Sequence, residues 1–394
     1  MAGTHATLSP SGADRWMKCP GSVAAEQQYP DTSNEYARLG TAAHSLAEQC
    51  LSTGNTPWQH IGEVITVEEA DCSEAITIDR DMAHFVDLYM SQVQEANSDA
   101  SVAYAEMRTP IDHLTGEDDA TGTSDYVGVA FRLGGATIRV HDLKYGQGVR
   151  VEAEGNYQLV MYASGVVREL DFLIDDLDEE DVTVEIYVHQ VRLDHLPFWR
   201  LSLADLRGYE EVVRARADQC TPDAPRIPGE DQCRFCKART GCPELHALVA
   251  ETTSEEPPQD AEAVAQVMPR LKMIRDWAAT VEARAIELLE HDDPVMRQYF
   301  KLVEGRKQKV WNVDENKLAR VLKYNTDLGQ KDLYTKKLIS PAQAEKAVPK
   351  SELDRVRKYI EMKEGKPTIA PVDDKRPAVN SAEAMGFSDL TDSD

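Results

Sequence analysis

The chain has 394 residues, of which 42% are apolar and 28% charged, so it reads as a folded soluble protein of more than one domain. It carries 43 Lys and Arg against 69 Asp and Glu, a net charge of −26, which excludes a uniformly basic nucleic-acid coat. No run of eighteen apolar residues could span a membrane, and Met1–Ser9 lacks the basic-then-apolar order of a secretory signal, so a cytoplasmic protein with no membrane partner is expected.

Residues 8–52 read as helical. Ser9 or Ser11 would cap a first helix that carries Trp16 and stops before Cys19-Pro20. A second helix covers 34–51, with Leu39, Ala43, Leu46, Ala47 and Cys50 at helical spacing. A third covers 81–96, where Met82, Phe85, Val86, Tyr89, Met90 and Val93 form one stripe. Strands are expected at 102–109, 123–132 and 136–144, the last two joined by a Gly134-Gly135 turn. Helical periodicity returns at 154–170, a strand pair at 182–193 and 197–203, and a helix at 204–219, before the Cys-rich segment 233–242. The stretch 251–262 is acidic and Pro-containing, hence a linker, and 263–290 reads as one long amphipathic helix. Residues 299–360 mix short basic helices with a hairpin around Phe300–Trp311. The acidic tail 378–394 is short of large apolar residues and is expected to be disordered. The expected division is 1–100, 101–250, the linker 251–262, a mainly helical 263–377, and the tail 378–394.

Charge is unevenly spread. Arg297 to Pro377 holds 20 Lys and Arg against 12 Asp and Glu, a net of +8, which leaves −34 on the rest. This basic third either binds a polyanion or presents an ordinary solvated helical surface. Its aromatics, Tyr299, Phe300, Trp311, Tyr324, Tyr334 and Tyr359, either stack on bases or form a small core, and the core is favoured for most.

The hairpin at 123–144 puts charge on its buried face. Side chains alternate along a strand, so Asp125, Val127, Val129 and Phe131 share a face, as do Ile138, Val140, Asp142 and Lys144. A two-residue turn at Gly134-Gly135 sets Asp125 opposite Lys144. The other face, with Ser124, Tyr126, Arg132, Thr137, Arg139 and His141, is mostly polar. Two carboxylates at short range resist joint ionisation unless a cation sits between them. A hard divalent ion such as Mg²⁺ or Mn²⁺ meets that need, and a structural Asp–Lys salt bridge is the equal alternative. Gln158 and Tyr162, spaced i, i+4, share a helix face that would look toward this charged end.

Seven cysteines occur, an odd number without an export signal, which argues against a disulfide framework. Cys233-x2-Cys236-x5-Cys242 is a thiol triad that needs one further ligand to complete a four-coordinate site. The spacing suits zinc or an iron–sulfur cluster, and unliganded thiols are the third possibility. Cys50, Cys72 and Cys220 lack partners at ligand spacing.

Together, Gly122-Thr123-Ser124-Asp125, His141-Asp142-Leu143-Lys144 and Gln158-x-x-x-Tyr162 resemble the motifs of the PD-(D/E)XK nuclease superfamily, nearest its RecB-like branch. That branch carries a His on an early helix, and Gly40-Thr41-Ala42-Ala43-His44 matches the pattern. Its iron–sulfur members, such as the AddB-type and CRISPR-adaptation exonucleases, place one Cys before the nuclease core and three after it, as Cys19 stands before Cys233, Cys236 and Cys242 here. The resemblance covers residues 8–245. It implies an α/β (α+β) fold with a restriction-endonuclease-like core, a mixed central sheet flanked by helices, and N-terminal helices stapled by a [4Fe–4S] cluster. It further implies a DNA nuclease in which His44, Asp125, Asp142 and the Leu143 carbonyl hold Mg²⁺ or Mn²⁺. Lys144 would stabilise charge on the phosphate, and Gln158 and Tyr162 would position the backbone. Glu106 lies where the family often places an acid, with a ligand, outer-layer or surface role left open. The whole chain, including Lys301-Leu302-Val303-Glu304-Gly305-Arg306 and Trp311, also resembles an uncharacterised family of phages and prophages. The expectation is a DNA exonuclease of phage recombination or replication in a bacterial cytoplasm. A phage annealing protein or helicase is a possible partner, since no Gly-x4-Gly-Lys-Ser/Thr loop occurs. The alternatives are a catalytically silent nucleic-acid-binding protein and a zinc-stabilised accessory protein.

Overall fold

Alternating and β-branched residues from Val102 to Ser202 build one mixed sheet. Its strands are β3 (Val102–Pro110), β4 (Thr121–Arg132), β5 (Gly135–Leu143), β6 (Val182–His189) and β7 (Phe198–Ser202), hydrogen-bonded in that order. All neighbours are antiparallel except β5 and β6, which run parallel. A parallel pair needs a crossover, which helix α6 (Tyr157–Glu169) supplies. The computed structural model describes residues 6–29, 35–68, 73–254, 260–312, 315–326, 340–341, 343–344, 348, 352–371 and 375–378. They form two units, Met1–Asp276 and Trp277–Asp394.

In the first unit, one sheet face is apolar. Val127, Val129, Ile138, Val140, Val184, Ile186 and Val188 are fully buried there against α6 and α7 (Leu203–Ala217). Each such side chain contributes about 1.5–3 kcal/mol by leaving water. Asn156 caps α6 through the Leu159 N–H, and Ser202 with Asp205 makes a capping box for α7. A second apolar cluster joins α3 (Glu35–Thr53) to α4 (Arg80–Ala96), with Ala43, Leu46, Met82, Val86, Tyr89 and Val93 around Leu143. Ahead of these elements stand the short helices α1 (Ala13–Trp16) and α2 (Ser22–Glu26). A hairpin absent from the sequence-based expectation, β1 (Val64–Glu68) with β2 (Ser73–Thr77), lies between α3 and α4.

The polar face of the β4–β5 hairpin is not solvated. Asn97 at the end of α4 donates to His141 Nε2 (2.8 Å), His141 Nδ1 donates to His189 Nε2 (2.9 Å), and His189 Nδ1 donates to Gln92 Oε1 (2.9 Å). Gly128 permits this, because a Cβ there would lie 1.8 Å from Asn97 Oδ1. Beside it, Arg139 is buried between Glu185 (2.9 Å) and Asp99 (2.6 Å).

The hairpin turn differs from expectation. Leu133 and Gly134 form it, with Gly134 at φ +73, and Phe131 pairs with Ala136. Gly135 is already in β5, where a Cβ would meet the Asp181 carbonyl oxygen at 2.7 Å. Its lack of a side chain serves that close approach, not the turn. The register therefore shifts by two residues. Parity is kept, so the faces are as expected, but Asp125 stands beside Asp142 and not beside Lys144.

In the second unit, β8 (Phe300–Trp311) is one continuous strand and not a local hairpin. Its antiparallel partner is β9 (Ile360–Pro371), from Phe300 opposite Pro371 to Trp311 opposite Ile360. The expected mainly helical region thus contains a long two-stranded ribbon. Helix α12 (Glu315–Asn325) buries Leu318 and Leu322 with Val356, and Trp311, Tyr359 and Ile360 pack on them. Tyr299 and Tyr324 are exposed, so the aromatics divide between core and surface. Tyr334, Cys72, residues 255–259 of the expected linker and 379–394 of the expected tail lie outside the described residues. The expected linker is helical at both of its described ends, in α9 (Pro243–Ser254) and α10 (Ala261–Glu290). No described helix is long and apolar enough to cross a membrane.

Candidate active site

Three adjacent strands bring a carboxylate to the same level. Ala105 pairs with Tyr126 and Met107 with Ser124, so Glu106 stands beside Asp125. Tyr126 pairs with His141, and the next step of that register sets Asp125 beside Asp142. The row Glu106, Asp125, Asp142 therefore crosses β3, β4 and β5. His44 reaches it from α3, with Nδ1 3.2 Å from Asp125 Oδ1. Among the described residues, only His44, Glu106 and Asp125 form a set of three or more ligand-type side chains whose donor atoms all lie within 4.8 Å of one another. Glu106 holds a left-handed backbone, φ +48, a conformation that costs a non-glycine residue about 1–2 kcal/mol.

Lys144, two residues past Asp142, donates from Nζ to Asp142 Oδ1 (3.0 Å) and to Gln158 Oε1 (3.1 Å). Gln158 Nε2 donates in turn to the Tyr162 hydroxyl (3.1 Å). Gly122 makes room for that tyrosine, since a Cβ there would sit 3.0 Å from its ring. Leu143 enters through its backbone N–H, which donates to Asp125 Oδ2 at 2.5 Å. The sequence motifs from His44 to Tyr162 thus meet in one place.

The electrostatics show excess negative charge. Burial and then the Asp125 charge push Glu106 up to about 7. Burial raises the Asp142 carboxyl, Lys144 pulls it back, and Asp125 raises it again. Burial works against charged His44, yet Asp125, then Asp142 and Glu106, hold it up at about 9. Burial likewise opposes the Lys144 ammonium, which Asp142 keeps above its ordinary value. Tyr162 is pushed up to about 12 by burial and by Asp142. Asp142 Oδ2 is buried and accepts no hydrogen bond, although it lies 3.0 Å from Lys144 Nζ. The two carboxylates and one imidazole of Glu106, Asp125 and His44 fit a divalent ion, while Asp142, paired with Lys144, stands beside that set and not in it.

Cys19, Cys233, Cys236 and Cys242 line one cavity, although Cys19 precedes Cys233 by most of the unit. Backbone N–H groups point at two sulfurs, from Ile227 to Cys19 (3.1 Å) and from Gly229 to Cys233 (3.4 Å). Burial raises the Cys19 and Cys233 thiols and pushes Cys236 up to about 12. Among the described residues, no three of these sulfurs lie mutually within 4.8 Å. A tetrahedral zinc, with Zn–S of about 2.3 Å, draws its sulfurs closer than that. Cys220 packs against the main core and Cys50 lies in the α3–α4 cluster.

Fold and site define a mixed α/β protein whose five-stranded sheet, flanked by helices, presents a row of carboxylates and an imidazole suited to a cation. The chain belongs to the family described as "Protein of unknown function (DUF2800)", whose profile matches residues 5–377.

Proposed function

We propose that this protein is a divalent-metal-dependent deoxyribonuclease of the PD-(D/E)XK type, an exonuclease acting in phage recombination or replication. The observation that carries the reading is the cross-strand pair Asp125 and Asp142 with Lys144 two residues beyond, tied through Gln158 to Tyr162. His44, Asp125 and Asp142 would hold Mg²⁺ or Mn²⁺, with Glu106 and the Leu143 carbonyl beside them. When bound, the ion supplies Lewis-acid stabilisation of the phosphoryl oxygens. The chain supplies the rest. Lys144 keeps its proton, fixed between Asp142 and Gln158, and places a full positive charge where charge builds on phosphorus. Gln158 locks that lysine in place, and the Tyr162 hydroxyl offers a donor to the sugar–phosphate backbone. The basic C-terminal segment is suited to the DNA strand, with exposed Tyr299 and Tyr324 available for stacking.

The four thiols would hold a [4Fe–4S] cluster with a structural role. The shared cavity and the N–H donors on Cys19 and Cys233 support it.

The test is digestion of end-labelled single- and double-stranded DNA with Mg²⁺ or Mn²⁺, beside Asp142→Ala. Cleavage that needs the ion and is abolished by the substitution is expected. Equal cleavage by both proteins refutes the assignment of this site.

A further inference from the structure

The two serines that the sequence offers as helix caps, Ser9 and Ser11, serve a different arrangement. Ser9 stands at the N-cap of the turn Pro10–Gly12, yet its hydroxyl makes no capping bond and meets the Ser11 hydroxyl at 3.2 Å. A Cβ on Gly12 would lie 3.1 Å from Arg15 Nη2 and 3.3 Å from Ser9 Oγ, so a guanidinium and a hydroxyl converge over a glycine. These groups line a cavity of about 520 Å³, where the charged side chains are Arg15 and Lys237 against the one carboxylate of Glu26. Glu26 engages only part of Arg15, through Nη2 at 2.6 Å. The buried Nε of Arg15 has no partner among the described residues, and 23% of its side chain stays exposed. The serine segment is held in place, since Trp16 Nε1 donates to the Ser9 carbonyl (3.1 Å) and the Leu8 N–H donates to Glu117 (3.1 Å). The turn also abuts the candidate active site. A Cβ on Gly122 would lie 3.0 Å from the Tyr162 ring and 3.2 Å from Pro10 Cγ.

We propose that this cavity is a phosphate-binding subsite for the nucleic-acid strand, with the Ser9 and Ser11 hydroxyls and the Arg15 guanidinium as its donors. This deepens the nuclease reading above and rests on it for the identity of the strand. Hydroxyls and a guanidinium are the donors that a phosphate oxygen accepts from, and the bonds to the cation are the strong ones. Contacts of this kind fix where a strand lies and carry no sequence preference. On a chain of net charge −26, two cationic side chains with hydroxyls already set beside them hold a phosphate without a basic coat. Because Pro10 and Tyr162 flank the same glycine, a phosphate held here keeps the strand next to the Tyr162 hydroxyl.

The experiment is fluorescence anisotropy of labelled oligothymidylate with the full chain in EDTA, where no metal-dependent cleavage intervenes, for the wild type, Ser11→Asp and Arg15→Gln, with the melting temperature of each. Ser11 is exposed, so Ser11→Asp should melt as the wild type does. It should bind about tenfold or more weaker, because a carboxylate then faces the phosphate. Arg15→Gln should weaken binding too and flatten its dependence on salt, since one phosphate contact is lost. Strands with and without a terminal phosphate separate the two sources of the group: tighter binding of the phosphorylated strand assigns the cavity to the strand end, and equal binding assigns it to an internal phosphodiester. Unchanged affinity in Ser11→Asp overturns the inference, as does a wild type that binds no oligothymidylate. Weaker binding accompanied by a melting temperature several degrees lower in Ser11→Asp also overturns it, because the hydroxyls then serve the fold. Binding lost in Ser11→Asp, with a wild type that cuts no DNA in Mn²⁺, keeps the subsite and sinks the nuclease reading instead.

Discussion

Lys144 divides its three donors between a buried carboxylate and a glutamine, and so it is the cation the protein supplies on its own account. Lys144→Ala removes that charge but leaves His44, Glu106, Asp125 and Asp142 in place. Cleavage should fall by about 10²–10³-fold or more, while Mn²⁺ affinity in a titration changes only a few-fold. Retained cleavage excludes Lys144 from the chemistry. Glu106 makes the opposite case. A carboxyl raised from 4.5 to about 7 binds more protons folded than unfolded between those values, so it costs stability above them. Glu106→Gln should therefore raise metal-free stability at pH 8 in urea unfolding, by about 1 kcal/mol once solvent screening of this half-buried group is allowed for. It should at the same time weaken Mn²⁺ binding. Asp125, Asp142 and Lys144 were legible in the sequence because strand alternation fixes their face whatever the register. The place of Glu106 was not, since a carboxylate's neighbour across two strands depends on pairing that no local pattern encodes. Ser9 and Ser11 were legible only as candidate helix caps.

The β4–β5 hairpin shows what an element-level pattern does and does not carry. Alternation gave the two faces, and Gly134-Gly135 marked the turn within one residue. The glycine that the turn uses was decided by the approach of the Asp181 carbonyl to Gly135, a contact from far along the chain. The other face reads as mostly polar, and α4 covers part of it through Asn97 and Gln92 while the ion network there is buried. Glu185 and Arg139 have only 4% and 6% of their side chains exposed. Glu185→Ala leaves that guanidinium with only the half-exposed Asp99, and should cost about 3–5 kcal/mol in denaturant unfolding. Arg200→Ala, which removes a largely exposed partner of the same carboxylate, should cost about 0–1 kcal/mol. A cost below that of Arg200→Ala would show the network to be dispensable. Burial favours the neutral Glu185 carboxyl, but Arg200 and Arg139 hold it below its ordinary 4.5. The folded state then binds fewer protons than the unfolded one, so this stabilisation is complete above pH 4.5 and is lost as pH falls through the lowered value. In Glu185→Gln that part of the acid destabilisation should be missing. The long β8–β9 ribbon escaped sequence reading for a related reason: its partner strand lies beyond intervening helices, and only local hairpins announce themselves by their turns.

At the scale of the whole molecule, the chain brings distant segments together at the carboxylates and again at the thiols. Ile227 donates to a sulfur on Cys19, 208 residues earlier. A metal centre at the four cysteines would close that long loop and add its binding energy to folding. Cys236→Ser, purified without oxygen, should lose iron and sulfide and melt several degrees lower, whereas Cys50→Ser should keep both. A colourless wild type with stoichiometric zinc would replace the cluster by a zinc site. The Cys spacing was readable as a metal motif, but the partnership with Cys19 came only with the family resemblance, because nothing local ties it to Cys233. The central claim remains that Asp125 and Asp142 share one cation. It is tested most directly by anomalous scattering from crystals soaked in manganese. The account predicts a manganese peak bounded by His44, Asp125 and Asp142, lost in Asp142→Ala; carboxylates turned apart with no peak between them would contradict it.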